Sequence, residues 1–133
     1  MKKIVVSILV LLCIGLVYGF YLYNKKTPSL ENEKPDYTLT ADELYTNFST
    51  DEASAMEKYE GKILQVSGKV LMLTQTDSIS NVVLNAEDAL FGAVNCSFST
   101  LKETLQKKEN IVVKGQCQGY LTNVILNNCV LVK

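Results

Sequence analysis

The sequence contains no histidine, no arginine and no tryptophan. Its 13 basic residues are all lysines, set against 14 Asp and Glu, for a net charge of −1. Without histidine, the chain lacks the side chain that most often acts as a general base near neutral pH and most often ligates borderline metals. Without arginine, it lacks the forked donor that grips phosphates and guanine edges bidentately. The four cysteines form no CxxC spacing, so neither a thioredoxin-like redox motif nor a cysteine-rich zinc site is written here. The acidic pairs Asp42/Glu43, Asp51/Glu52 and Glu87/Asp88 are sequence neighbours at helix starts or a turn, where capping and solvation account for them. Catalytic carboxylates would have to converge from separate elements. The reading is therefore a non-enzymatic chain, with no cofactor and no metal.

What is present begins with a long apolar run. Residues 4–23, IVVSILVLLCIGLVYGFYLY, carry no charge, and Lys2, Lys3, Lys25 and Lys26 flank them. Twenty helical residues at about 1.5 Å each match a hydrocarbon core of roughly 30 Å. Tyr18, Phe20, Tyr21 and Tyr23 gather at the far end as an interfacial belt would. Residues 1–23 are thus expected to anchor the chain in a membrane, N-terminus inside, with the remainder outside the cytoplasm. A cleaved signal peptide and acylation at Cys13 are the competing readings; Leu12 is bulky where a lipoprotein signal wants a small residue, and the apolar run continues past Cys13. Residues 24–36 hold both prolines and are mostly polar, which reads as a linker. Residues 37–133 form the domain. It carries 8 lysines and 11 acidic residues, a net charge of −3 (8 − 11), which disfavours polyanions as partners.

The domain is organised around residues 61–70, GKILQVSGKV. Leu64, Val66 and Val70 share one face of a strand, and Gly68 marks a bend or the close approach of another backbone. Such a strand can serve both halves of a small closed barrel. Ahead of it, Thr40 with Glu43 and Ser49 with Glu52 spell two capping boxes, hence two short helices, the second stopped by Gly61. After it come strands at 81–85, 89–98, 111–118 and 123–132, with Leu90, Val94, Cys96 and Phe98 facing inward on the second of these. Ser99 or Thr100 is expected to cap a helix over 101–108, LKETLQKK. Five strands with a helix between the third and fourth is the order of the OB-fold, a mainly β Greek-key barrel. A meander is the alternative.

Cys117 and Cys129 fall on consecutive strands expected to be antiparallel neighbours. They are the first choice for a disulfide in an oxidising compartment, leaving Cys96 as a buried free thiol.

TADELY at 40–45, DEASAMEKYEGK at 51–62, VSGKV at 66–70, AVNCSF at 93–98, VVKGQCQGY at 112–120 and NCVLV at 128–132 together resemble the tRNA anticodon-binding-like OB-fold family of small bacterial membrane-anchored or secreted proteins. In that resemblance Cys117 and Cys129 occupy a closing KGxCxG…C pair. It implies the fold and leaves the ligand open.

Barrels of this order bind through their second and third strands and adjoining loops. That puts Phe91, Asn95 and Tyr120, with Lys69 on the first strand, forward as ligand-binding candidates. Asn-rich and acidic loops suit a protein, peptide or glycan of the cell envelope better than nucleic acid. Single-stranded nucleic-acid binding, using Lys62, Lys69 and Lys114, and a structural place in an envelope complex are the alternatives.

Overall fold

The computed structural model describes residues 1–24, 29–87, 89–90 and 93–133. The apolar run is one helix, α1 (Lys2–Asn24), with a mean hydropathy of 2.6 over its most apolar window and no side chain there buried, long and apolar enough to cross a membrane. The domain then runs β1 (Tyr37–Thr40), α2 (Ala41–Thr50), α3 (Glu52–Tyr59), β2 (Ile63–Gln75), β3 (Ser80–Asn85), β4 (Val94–Phe98), β5 (Asn110–Tyr120) and β6 (Val124–Leu131).

Strands β2 to β6 close a mainly β, five-stranded barrel of OB type, in the order β2-β3-β4-β6-β5 with β5 returning to β2. Closure depends on β2. Its first half, Ile63 to Lys69, pairs antiparallel with β5, and its second half, Lys69 to Gln75, pairs antiparallel with β3. Lys69 is the pivot, in register with both Asn85 and Asn110. Gly68 lies just before the pivot because nothing larger fits: a Cβ there would stand 3.0 Å from the Ala41 Cβ and 3.3 Å from the Leu84 Cβ, so it admits the start of α2. Leu64, Val66, Val82, Leu84, Val94 and Leu126 fill the interior, each fully buried.

The helices begin where the side chains dictate. Thr40 accepts from the Glu43 amide at 3.1 Å while Glu43 accepts from the Thr40 amide at 2.9 Å, a complete capping box. The second start falls on Asp51 rather than Ser49: the Asp51 carboxylate accepts from the Ser54 amide, and Ser49 donates its hydroxyl to the Thr46 carbonyl instead. Gly61 ends α3 with φ +73°, a conformation that favours glycine. Phe48 and Tyr59 pack these helices onto the barrel, and Tyr59 accepts a hydrogen bond from the Asn47 amide at 3.0 Å.

Three expectations are corrected. The segment over 101–108 is not helical. Eight residues form a marginal helix on their own, and the backbone has better partners elsewhere. Lys108 turns with φ +69°, its amide donates to the Val70 carbonyl, and the Val70 amide donates to the Glu109 carbonyl. Leu105 is still buried without the helix. Leu90 is exposed rather than inward, since β4 starts only at Val94. The Cys117–Cys129 bridge is absent and all four cysteines are free. Irregularities between Lys114 and Gln116 and between Cys117 and Gly119 set the register of β5 and β6, so that Cys117 lies opposite Leu126. Cys129, three residues beyond Leu126, sits over Gly115 and acts on the buried Cys96 thiol instead.

One strand was not expected. β1 pairs parallel to the first half of β2, on the edge that β3 occupies further along. Ahead of it, Leu30 is buried in a short 3-10 turn (Leu30–Asn32), and the Lys114 ammonium donates to the Glu31 and Glu33 carbonyls at 2.9 and 2.7 Å. Asp36 is bonded to Ile63 in both directions. Residues 29–36 therefore lie against the barrel.

Candidate ligand-binding face

On the outer surface of the barrel the strand registers assemble side chains from distant parts of the chain into two rows. In the first, Met72 lies opposite Val83, Val83 opposite Asn95, and Asn95 opposite Ile125. In the second, Thr74 lies opposite Asn81 and Asn81 opposite Ser97, and Asn127 with Gln116 opposite it carries the polar character across β6 and β5. Neighbouring strands are about 4.8 Å apart, so a row across five strands is roughly 19 Å long. One row is apolar with an amide in its middle, and the next is all amide and hydroxyl. Neither contains a charge.

The polar row is ordered. Ser97 donates its hydroxyl to the Asn81 side-chain oxygen at 2.8 Å, and Gln116 donates to the Gly61 carbonyl at 3.1 Å. The β2–β3 loop closes on itself through Thr76, whose amide and hydroxyl both donate to the Ile79 carbonyl. Ile79, half exposed, thus stands beside the row as one wall of a cleft of about 520 Å³. A larger hollow, about 780 Å³, lies between the Ser29–Glu31 turn and the 99–103 loop. Its mixed lining of Glu31, Lys102, Glu103 and Lys133 includes the docked linker, and Glu103 and Lys133 pair with each other at 3.1 Å.

Asn95 is the unusual member. Its side-chain oxygen is buried between strands and has no hydrogen-bond partner among the described residues. A buried acceptor without a donor costs roughly 1–3 kcal/mol. Because that oxygen is closed to solvent, a ligand amide or hydroxyl at this face would supply the missing donor only once the Asn95 side chain turns outward.

Of the four candidates from the sequence, the three that the structure describes do not meet. Asn95 stands at the centre of the face. Lys69 is at the β2 pivot, beside Asn85 and Asn110 and away from both rows. Tyr120 is packed under α2, stacked on Phe48 with ring centroids 5.5 Å apart and edge-on to Tyr45. Burial, and then Tyr45, push its phenol up from the usual tyrosine range. Phe91 lies outside the described residues. Asn81, Ser97, Gln116 and Asn127 were missed. The signal for them was uncharged amides and hydroxyls at strand positions where surface strands usually carry Lys or Glu. Nor do the lysines form a groove, because Lys114 is only 7% exposed and holds the linker.

A family model, tRNA_anti-like, matches residues 1–131. No curated protein matches the chain. Among solved structures, the chain is similar to a proposed nucleic acid-binding lipoprotein from Klebsiella pneumoniae, with 19% identity and a TM-score of 0.60 over 72% of this chain and 91% of that one. It is more distantly similar to an OBody bound to hen egg-white lysozyme, with 14% identity and a TM-score of 0.43 over 57% of this chain and 86% of that one.

Proposed function

The chain belongs to the tRNA_anti-like family, and from that premise we propose that it is a membrane-anchored OB-fold binding module. In this reading the barrel works outside the cytoplasm and holds an uncharged polar ligand on the face centred on Asn95. A protein segment, a peptide or a glycan offers the alternating donors and acceptors that such a face can match. The observation that carries the reading is the buried, unpartnered Asn95 oxygen set between an apolar row and an amide row. α1 supplies the attachment, and its reading as an uncleaved signal-anchor supplies the placement outside.

The alternative is single-stranded nucleic acid. The similarity to a protein named for nucleic-acid binding favours it. The charge opposes it: residues 37–133 carry net −3 (8 − 11), no arginine is present, and Lys114 is sequestered. Nucleic-acid grooves combine cationic side chains with stacking aromatics, and neither row holds either. A structural place in an envelope complex uses the same face, with Met72 and Ile125 as the apolar contacts.

The full chain in detergent micelles, titrated with a chitooligosaccharide series, an uncharged peptide library and an oligothymidylate, separates these. Shifts of the side-chain amides of Asn81, Asn95 and Asn127 with peptide or sugar, insensitive to salt, are expected. Oligothymidylate binding that weakens steeply with salt, leaving those amides unmoved, would overturn the proposal.

A further inference from the structure

The three cysteines of the barrel are not equivalent. Cys96, on β4, is fully buried, and its Cα partner on the parallel neighbour β6 is Leu126. Cys129 follows three residues later on β6. Its thiol donates to the Leu126 carbonyl oxygen at 3.4 Å, folded back toward the same level of the barrel, where it acts on the Cys96 thiol. Asn128, just before it, has φ +54°, a kink within β6 that is followed by the buried Cys129 side chain. From the other side Gly115 leaves room for that sulfur: a Cβ at Gly115 would come within 2.6 Å of it. Cys117 is separate. Its backbone is bonded to Gly61 and Lys62, and the charge nearest to its thiol in effect is Glu60.

We propose that Cys96 and Cys129 are a modification site: in an oxidising compartment they join as a disulfide that staples β4 to β6, and Cys117 stays a free thiol. For the oxidant alone this rests on the placement outside the cytoplasm; the pairing rests on the geometry. The oxidant is a disulfide, of a small molecule or of an exchange protein. One cysteine thiolate attacks it, forming a mixed disulfide and releasing one thiol. The second cysteine then attacks the protein-side sulfur and releases the other thiol. Two electrons pass to the oxidant, and the two thiol protons end on its sulfurs. The contact with Cys129, and then burial, push the Cys96 thiol well above the ordinary cysteine range. Oxidation therefore accompanies folding or opening of the barrel rather than acting on the closed state.

The test uses the full chain purified in micelles under reductant, transferred into oxidised glutathione, alkylated while denatured and mapped by peptide mass. A Cys96–Cys129 cross-linked peptide, lighter by about 2 Da for the two hydrogens lost, with Cys117 alkylated, is the expected result. A bridge that includes Cys117, or no intramolecular bridge after exhaustive oxidation, overturns the pairing. C117A should bridge as wild type does, and C129A should form no bridge between Cys96 and Cys117. Material quenched directly from membranes tests the oxidant separately. Fully reduced cysteines there, with ready bridging in glutathione, overturn the placement outside the cytoplasm and leave the pairing intact.

Discussion

Replacing Asn95 by valine separates stability from function. Asn95 sits in a row between Val83 and Ile125, and its side-chain oxygen is buried with no partner among the described residues. Valine is close to it in size, removes the unpaired acceptor, suits a strand and meets two aliphatic cross-strand neighbours. The lost desolvation penalty is about 1–3 kcal/mol, and each new aliphatic pair adds about 0.2–1 kcal/mol. N95V should therefore raise the unfolding free energy by roughly 1–5 kcal/mol, or Tm by about 4–8 °C for each kcal/mol in a domain of this size. Urea and thermal unfolding of the full chain in micelles measure this. The same variant should lose the ligand that Asn95 was retained to meet. A destabilised N95V would mean that the asparagine has a structural partner, and the argument for the face would fall with it.

Gly115→Ala should cost about 1–3 kcal/mol by overpacking, because the new methyl meets the Cys129 sulfur at 2.6 Å and the Leu126 Cβ at 3.1 Å. Measured under reductant, G115A with C129A should recover part of that loss, and a purely additive double mutant would show that the contact is not the cause. Lys114→Met should leave the barrel folded but free residues 29–36, since its ammonium holds the Glu31 and Glu33 carbonyls; limited proteolysis should then cut this segment faster than in wild type, and equal rates would refute the tie. The hydrogen bonds from Ser54 hold the Asp51 carboxyl below its ordinary value of 3.8. A depressed carboxylate stabilises above its unfolded pKa, and that contribution fades as pH falls through the folded one. The stability gap between wild type and D51A should accordingly be full at neutral pH and shrink below about pH 4, and a gap constant down to pH 2 would refute the assignment.

Local signals proved readable wherever the structure obeys local rules. The Thr40–Glu43 box, the Gly61 stop and the Gly68 bend each depend on a few adjacent residues, and each is found in the fold. The strand order followed because alternation located the five strands to within a few residues. The failures arise where distant segments or an irregular register decide the outcome. Alternation along 111–118 puts Lys114 outside, but the 29–33 segment lies over it, so Val113, Lys114 and Gly115 are buried in succession; on the β6 side the pairing shifts between Lys114 and Gln116 and between Cys117 and Gly119. The same pair of shifts separates Cys117 from Cys129 and hands Cys129 to Cys96. The 101–108 helix yielded to backbone bonds with Val70, which also lies at an irregularity, between Val70 and Met72.

The face around Asn95 shows why register matters for function as well. None of its members is a neighbour of another in sequence: Met72, Val83, Asn95 and Ile125 come from four strands, and only cross-strand pairing makes them a row. A motif search sees an asparagine between a valine and a cysteine and finds nothing. The irregularity between Val70 and Met72 then decides which residues of β2 reach the outer surface beyond the pivot, placing Met72 opposite Val83 and Thr74 opposite Asn81. Removing that bulge by deleting Leu71, the unpaired residue it accommodates, leaves Val70 opposite Leu84 and brings Met72 directly after it, still opposite Val83, with Thr74 still opposite Asn81. The ladder becomes regular and only the local twist of β2 changes. The deletion should therefore keep both rows and the binding they support, and a loss of β2–β3 pairing beyond Met72 would refute this reading of the bulge.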